Sequence, residues 1–373
     1  MKLRVGVIAA LFAASLCARG ESELSETQRN TIAFESLSRL QNVDLKANPQ
    51  LEEAVYRLLQ KVHGTDKFLE IVKQFHLKDC DPGLLELAIK APSSETGVEA
   101  TRLVVAHKNF TLLQRKLESS DTKTACATAE ALGDATEKDA VPLLLPIALD
   151  ARRETTLRRA CIRALARTSE GATALLELAK KGTLAEDLRF TASTELNSVH
   201  WANIKAEAAK VLPLPLARGS QQLPPTVELL KMKTDSADGE NVFFRAQPGC
   251  SACHALHGKG GQVGPDLSEI GTKLAKEAIV EAILEPSAGI SVGYETYSLD
   301  LKSGDEAYGL LISDTADNIA IKDTKGIVTH HKKTEVLNKR KLKTSIMPTG
   351  LQQGMTAQEF ADLVAFLSGL KKQ

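Results

Sequence analysis

A chain of 373 residues has room for two or three domains, each burying a core of its own. Its 47 basic residues balance its 47 acidic ones, which removes any bulk electrostatic attraction for nucleic acid or an anionic membrane. Aromatics make up only 4%, while Ala, Leu, Lys and Glu are plentiful, a bias toward helix.

Residues 1–20 read as an export signal. Lys2 and Arg4 form a positive start, and Val5 to Ala18 is an apolar run of 14 residues, too short for a comfortable span but suited to a signal core. Cleavage after Ala18 or Gly20 would remove Cys17; removing residues 1–20 also strips three basic residues and no acidic one, taking the net charge from zero to minus three. No later segment approaches 18 uninterrupted apolar residues, so the expected mature chain is exported, periplasmic or beyond, with no membrane span.

Residues 21–212 are expected to form a helical repeat domain. Amphipathic patterns run over Leu51–Lys61, Lys67–Phe75, Leu84–Lys90, Val98–His107, Thr122–Leu132, Thr155–Arg167, Ala172–Lys181 and Leu188–Leu196. Pairs of residues recur along it: Glu99-Ala100 and Glu130-Ala131 lie 31 apart, Ala131-Leu132 and Ala164-Leu165 lie 33 apart, and Ala125-Cys126 and Ala160-Cys161 lie 35 apart. Such a period with two helices per unit suggests an α-solenoid of the HEAT or armadillo kind, with an irregular bundle as the alternative. Cys80, Cys126 and Cys161 fall in or beside these patterns and read as small buried thiols, two of which an oxidising compartment could pair.

Residues 213–232 read as a linker, because four prolines with Gly219, Ser220 and two glutamines crowd Leu212–Pro225. Within residues 233–373, helical patterns cover Asp238–Ala246, Thr272–Leu284 and Thr356–Leu370, the last opened by a Thr356/Glu359 capping box. Between the second and third, residues 291–343 form a β-rich insert. Short alternating runs at Tyr294–Leu301, Glu306–Ile312, Ile319–Lys322, Ile327–His330 and Thr334–Leu337 predict five strands of a small antiparallel sheet or barrel. The expected fold is therefore mainly α, a HEAT-like array followed by a helical domain with a β insert.

The chemistry-bearing motif is Gly249-Cys250-Ser251-Ala252-Cys253-His254. A Cys-x-x-Cys-His run is the signature of covalent haem attachment: two thiols one turn apart reach one porphyrin edge, and the next imidazole meets the iron. A dithiol redox site would want a preceding strand, where Gln247-Pro248-Gly249 reads as a turn. A zinc site would want further close ligands, and only His257 lies near.

The stretches "NVFFRAQPGCSACHALHGKGGQVGPDLSEIG", "AILEPSAGISVGYE" and "SIMPTGLQQGMTAQEFADLVAFLSGL" resemble cytochrome c, and more closely the Pirellula/Verrucomicrobium-type haem-binding family. The resemblance covers roughly Gly239 to Leu370 and implies a cytochrome c core interrupted by a β-rich insert. It further implies one covalent haem c on Cys250 and Cys253, with His254 and Met347 as axial iron ligands. Gly264-Pro265-Asp266-Leu267 would line the histidine side, the Pro265 carbonyl taking the free imidazole N–H. The first and last helices would cross where Gly239 and Phe243 meet Phe366. Met232 and Met355 are the competing sulfurs, neither in a Met-Pro context.

His257, His330 and His331 are additional imidazoles, and His330 or His331 is a rival sixth ligand. Lys332, Lys333, Lys339, Arg340, Lys341 and Lys343 precede Met347 with only Glu335 among them, either a solvated loop or a positive rim for an acidic redox partner. The leading expectation is an electron carrier, not an enzyme, whose repeats dock a partner dehydrogenase or oxidase. The runner-up is a haem peroxidase or sensor with an open sixth position, for which His257 or His331 would be the distal residue.

Overall fold

The computed structural model describes residues 25–40, 43–214, 223–246 and 249–372. The export signal with Cys17, Gln247-Pro248 of the expected turn, and the centre of the proline-rich linker lie outside these residues. The described chain is mainly helical and carries one five-stranded antiparallel sheet. It divides into two compact units, one ending at Ala135 and the other beginning at Thr136.

The first unit is a succession of short helices: α1 (Glu26–Ser38), α2 (Pro49–Lys61), α3 (Asp66–Phe75), α4 (Asp81–Lys90), α5 (Glu95–Ala106), α6 (Phe110–Leu117) and α7 (Thr122–Ala135). The sequence sets these ends locally. Ser25 and Gln28 close a capping box on α1, Pro49 occupies the first turn of α2, and the Ser94 hydroxyl accepts the Gly97 N–H of α5. In α2 the buried residues Leu51, Val55, Leu58 and Leu59 recur at the spacing of one helix face. Helices pack on second and third neighbours as well as on their first, α5 on α7 and α4 on α7. Asp81 is buried, and its carboxylate is satisfied by His107 Nδ1 at 2.6 Å and Asn109 Nδ2 at 2.9 Å. The Cys80 thiol is free, and burial pushes it up to about 11.

The second unit opens with α8 (Val141–Leu149), α9 (Thr155–Leu165), α10 (Ser169–Lys180), α11 (Glu186–Ser198) and α12 (Ala202–Val211), again with first- and second-neighbour packing. Helix α8 had no place among the predicted patterns. Its sequence VPLLLPIAL is apolar on every side and holds Pro146, so it has no amphipathic period to detect. Its entry nonetheless repeats that of α4. Lys78-Asp79-Cys80 and Lys138-Asp139-Ala140 each form a single 3-10 turn, and each leads into a helix with proline in its first turn.

The remaining helices are α13 (Thr226–Leu229), α14 (Ser236–Phe244), α15 (Cys250–Cys253), α16 (Ile270–Lys273), α17 (Lys276–Leu284) and α18 (Ala357–Gly369). The end of the expected linker belongs to this core: Leu229 is buried, and Leu223, Leu230 and Met232 pack beside it. Apolar side chains at four positions outweigh the linker-like composition around them. Helices α14 and α18 cross at the residues the resemblance implies. A Cβ on Gly239 would stand 2.1 Å from the Asp362 carbonyl oxygen and 2.7 Å from Phe366 Cβ, so only glycine allows the approach. The Phe243 and Phe366 rings lie 6.2 Å apart, and Phe243 and Phe360 are fully buried. The Thr356/Glu359 capping box forms as expected.

After a hairpin of the two-residue strands β1 (Ala255–Leu256) and β2 (Lys259–Gly260), the insert folds as β3 (Thr296–Leu301), β4 (Glu306–Asp314), β5 (Asn318–Lys322), β6 (Val328–Lys332) and β7 (Val336–Lys341), in the order β6-β5-β4-β3-β7. Four strands sit close to their predicted places. The fifth begins later than Thr334, because a 3-10 turn at Lys333–Glu335 intervenes. Residues at the helix ends and loops of the same unit hold the sheet. Lys138 N–H donates to Asp305 at 2.8 Å. Trp201 Nε1 and His200 Nε2 both meet Glu306 Oε2, at 2.7 and 3.1 Å, and the His200 ring stacks on Tyr308 at 3.8 Å. Burial alone would raise the Glu306 carboxyl, but hydrogen bonds from His200, Ser298 and Trp201 overcome it and hold the group at about 2. Among the described residues no helix is long and apolar enough to cross a membrane.

Candidate functional site

Helix α15 is a single turn, and it places Cys250 and Cys253 three residues apart on one side. Both carry free thiols and both are half-buried, Cys250 against the core beneath α14 and α18. Burial raises both, Cys250 to about 11, so they are neutral at pH 7. That is the opposite of an activated dithiol, whose attacking thiol is held low.

Backbone bonds fold the following segment back over the turn. The Cys253 carbonyl accepts the N–H groups of both Val263 and Gly264, at 3.0 and 2.8 Å, and the Ser251 carbonyl accepts that of Gly261. Between them lies the hairpin of β1 (Ala255–Leu256) and β2 (Lys259–Gly260), which is not among the predicted strands. Its signal was present in Leu-His-Gly-Lys: His257 and Gly258 take φ of 49° and 79°, the left-handed pair a two-residue turn demands.

This folding aims His254. Its Nδ1–H donates to the Pro265 carbonyl at 2.8 Å, the partner the resemblance implied. A carbonyl only accepts, so the proton sits on Nδ1 and the Nε2 lone pair is left for a metal. Gly264 lies against the ring face. A Cβ there would stand 2.4 Å from Cε1 and 2.7 Å from Nδ1, so this position also demands glycine. Burial lowers the affinity of His254 for a second proton, with the Pro265 bond opposing it, and the ring stays neutral.

Met347 is half-buried and packs against the same apolar core as Cys250. Its segment is fastened by Ser345 N–H to Ser287 Oγ at 3.0 Å and Met347 N–H to Ser345 Oγ at 3.1 Å. Of the competing sulfurs, Met355 is fully buried as a core residue, and Met232 packs at the edge of that core.

The additional imidazoles lie elsewhere. His257 is exposed in the hairpin turn, its N–H donating to Ser268 Oγ. His330 and His331 alternate on β6, so His330 is exposed and His331 buried. His331 Nε2 pairs with Thr329 Oγ1 at 3.1 Å. Among the described residues, no three His, Cys, Asp or Glu side chains gather as a metal-holding group, so the zinc alternative lacks its ligands.

The basic run is no loose loop. Lys333 and Lys339 share Asp314, Arg340 meets Asp300 at 2.7 Å, and Lys341 meets Glu295 at 3.1 Å. Four of its six cations are thus paired across the sheet, which weakens the rim as a steering field. Compared with known proteins, the chain matches no family model and no curated sequence.

Proposed function

We propose that this chain is an exported monohaem c-type cytochrome that carries electrons. One observation supports it above the rest: two free thiols one turn apart are followed by an imidazole whose Nδ1–H is held by the Pro265 carbonyl. The donor set fits the group. Cys250 and Cys253 would form the thioether bonds, His254 would bind iron through Nε2, and Met347 would offer the second axial donor as a soft thioether.

When bound, the haem supplies the one-electron chemistry, and no side chain needs to act on a substrate. The chain's own work is positioning and exclusion. Pro265 fixes the tautomer and direction of His254, Gly264 lets the backbone close over the ring, and the Phe243–Phe360 core keeps water from one side. The arrangement of α14 and α18 around Gly239, with the β insert before Met347, supports reading residues 233–373 as a cytochrome c-like domain of the Pirellula/Verrucomicrobium kind. The helices between residues 26 and 211, with their repeated turn-then-proline entries, support a HEAT-like array that docks a redox partner.

The test is spectroscopic. Made in a host with working cytochrome maturation, the oxidised protein should show a far-red methionine–iron charge-transfer band, and the reduced form should resist carbon monoxide. Met347→Ala should remove the band and admit carbon monoxide while the covalent haem stays. A wild-type protein that binds carbon monoxide at once would overturn the carrier reading in favour of an open sixth position.

A further inference from the structure

The turn between β5 and β6, Asp323 to Gly326, is held from two sides. On one side Arg167, just beyond α9, forms an ion pair through Nη2 with Asp323 Oδ2, and its Nη1 reaches Thr324 Oγ1 at 3.5 Å. Both charged side chains are four-fifths shielded. The other oxygen of the same carboxylate accepts the N–H groups of Lys325 and Ile327, each at 2.9 Å, so Asp323 shapes the turn and anchors it together. On the other side the turn meets the segment over the Cys-x-x-Cys-His motif. Lys322 Nζ donates to the Gln262 carbonyl at 3.3 Å, and Gly326 lies so near the buried Val263 that a Cβ added to it would stand 3.5 Å from Val263 Cγ2.

Val263 and Gly264 are the residues whose N–H groups bond the Cys253 carbonyl, Gly264 lies on the His254 ring, and Pro265 holds its Nδ1–H. A continuous series of contacts therefore runs from a helical arginine to the imidazole. We propose that Arg167 is a positioning residue for His254, acting through the Asp323 turn to clamp residues 262–265 over the ring. Its consequence for iron rests on the haem reading above, whereas the clamp itself does not.

The clamp is tested on the full chain by amide hydrogen exchange in Arg167→Gln and Arg167→Lys. A partly shielded ion pair sustains about a fivefold difference in a local opening equilibrium. Exchange at Val263 and Gly264 should quicken by about that factor in Arg167→Gln and return toward wild type in Arg167→Lys. Exchange at Phe360 and Leu363 in α18 should not change. In the haem-loaded protein the midpoint potential should shift in Arg167→Gln and recover in Arg167→Lys. Quickening confined to residues 323–327, or equal throughout the unit, overturns the proposal. A colourless protein removes the haem reading, yet the exchange at Val263 and Gly264 still decides whether the clamp exists.

Discussion

The helices of residues 26–211 and the segment from Cys250 to Pro265 hold their side chains in place by different means. In the helices, position follows from apolar burial: Leu84, Leu113, Leu132 and Leu165 are buried to within 1% of completely, and neighbouring helices fix them by shape. Around the motif, regular structure is reduced to one-turn helices and two-residue strands. There the backbone does the fixing, through Cys253 and Ser251 carbonyls that turn the chain and a Gly264 that lets it lie on the imidazole. Burial tolerates many sequences of similar volume, whereas a fold set by backbone bonds and close approach depends on single residues.

That contrast can be broken most sharply at Gly264. In Gly264→Ala a methyl group would stand 2.4 Å from His254 Cε1, so the ring must leave its bond to Pro265. The expected outcome is loss of the His254 ligand signature from the absorption spectrum of a protein that is still helical by circular dichroism. Leu165→Ala, in a fully buried helical position, should do the reverse. Chemical denaturation should report a loss of about 3 kcal/mol, with the spectrum of the folded protein unaltered.

The two grammars also explain what was legible beforehand. The helix patterns at Leu51–Lys61 and Thr155–Arg167 could be read because one face is apolar, and α8 could not because every face is. The sheet was legible from its alternation, except that the turn at Lys333–Glu335 displaced the last strand and carried a basic run onto it. The His254–Pro265 bond came from motif resemblance, and no local periodicity announces it. The Arg167–Asp323 pair joins residues 156 apart, and nothing in either neighbourhood names the other.

A smaller effect separates the insert from both regions. Glu306 is held at about 2 in the folded chain, below its ordinary value of 4.5. Its contribution is complete above pH 4.5 and is lost as pH falls from there toward 2. With its side chain about three-quarters shielded, the loss should be about 2 kcal/mol. Stability measured between pH 6 and 2.5 should show this slope in the wild type and a flatter one in Glu306→Gln.

The most direct test of the central claim is the denatured mass of the chain secreted by a host that matures c-type cytochromes. The account predicts a polypeptide heavier by one haem, with that increment absent when Cys250 and Cys253 are both replaced by alanine. A colourless wild-type chain at its bare polypeptide mass would contradict it.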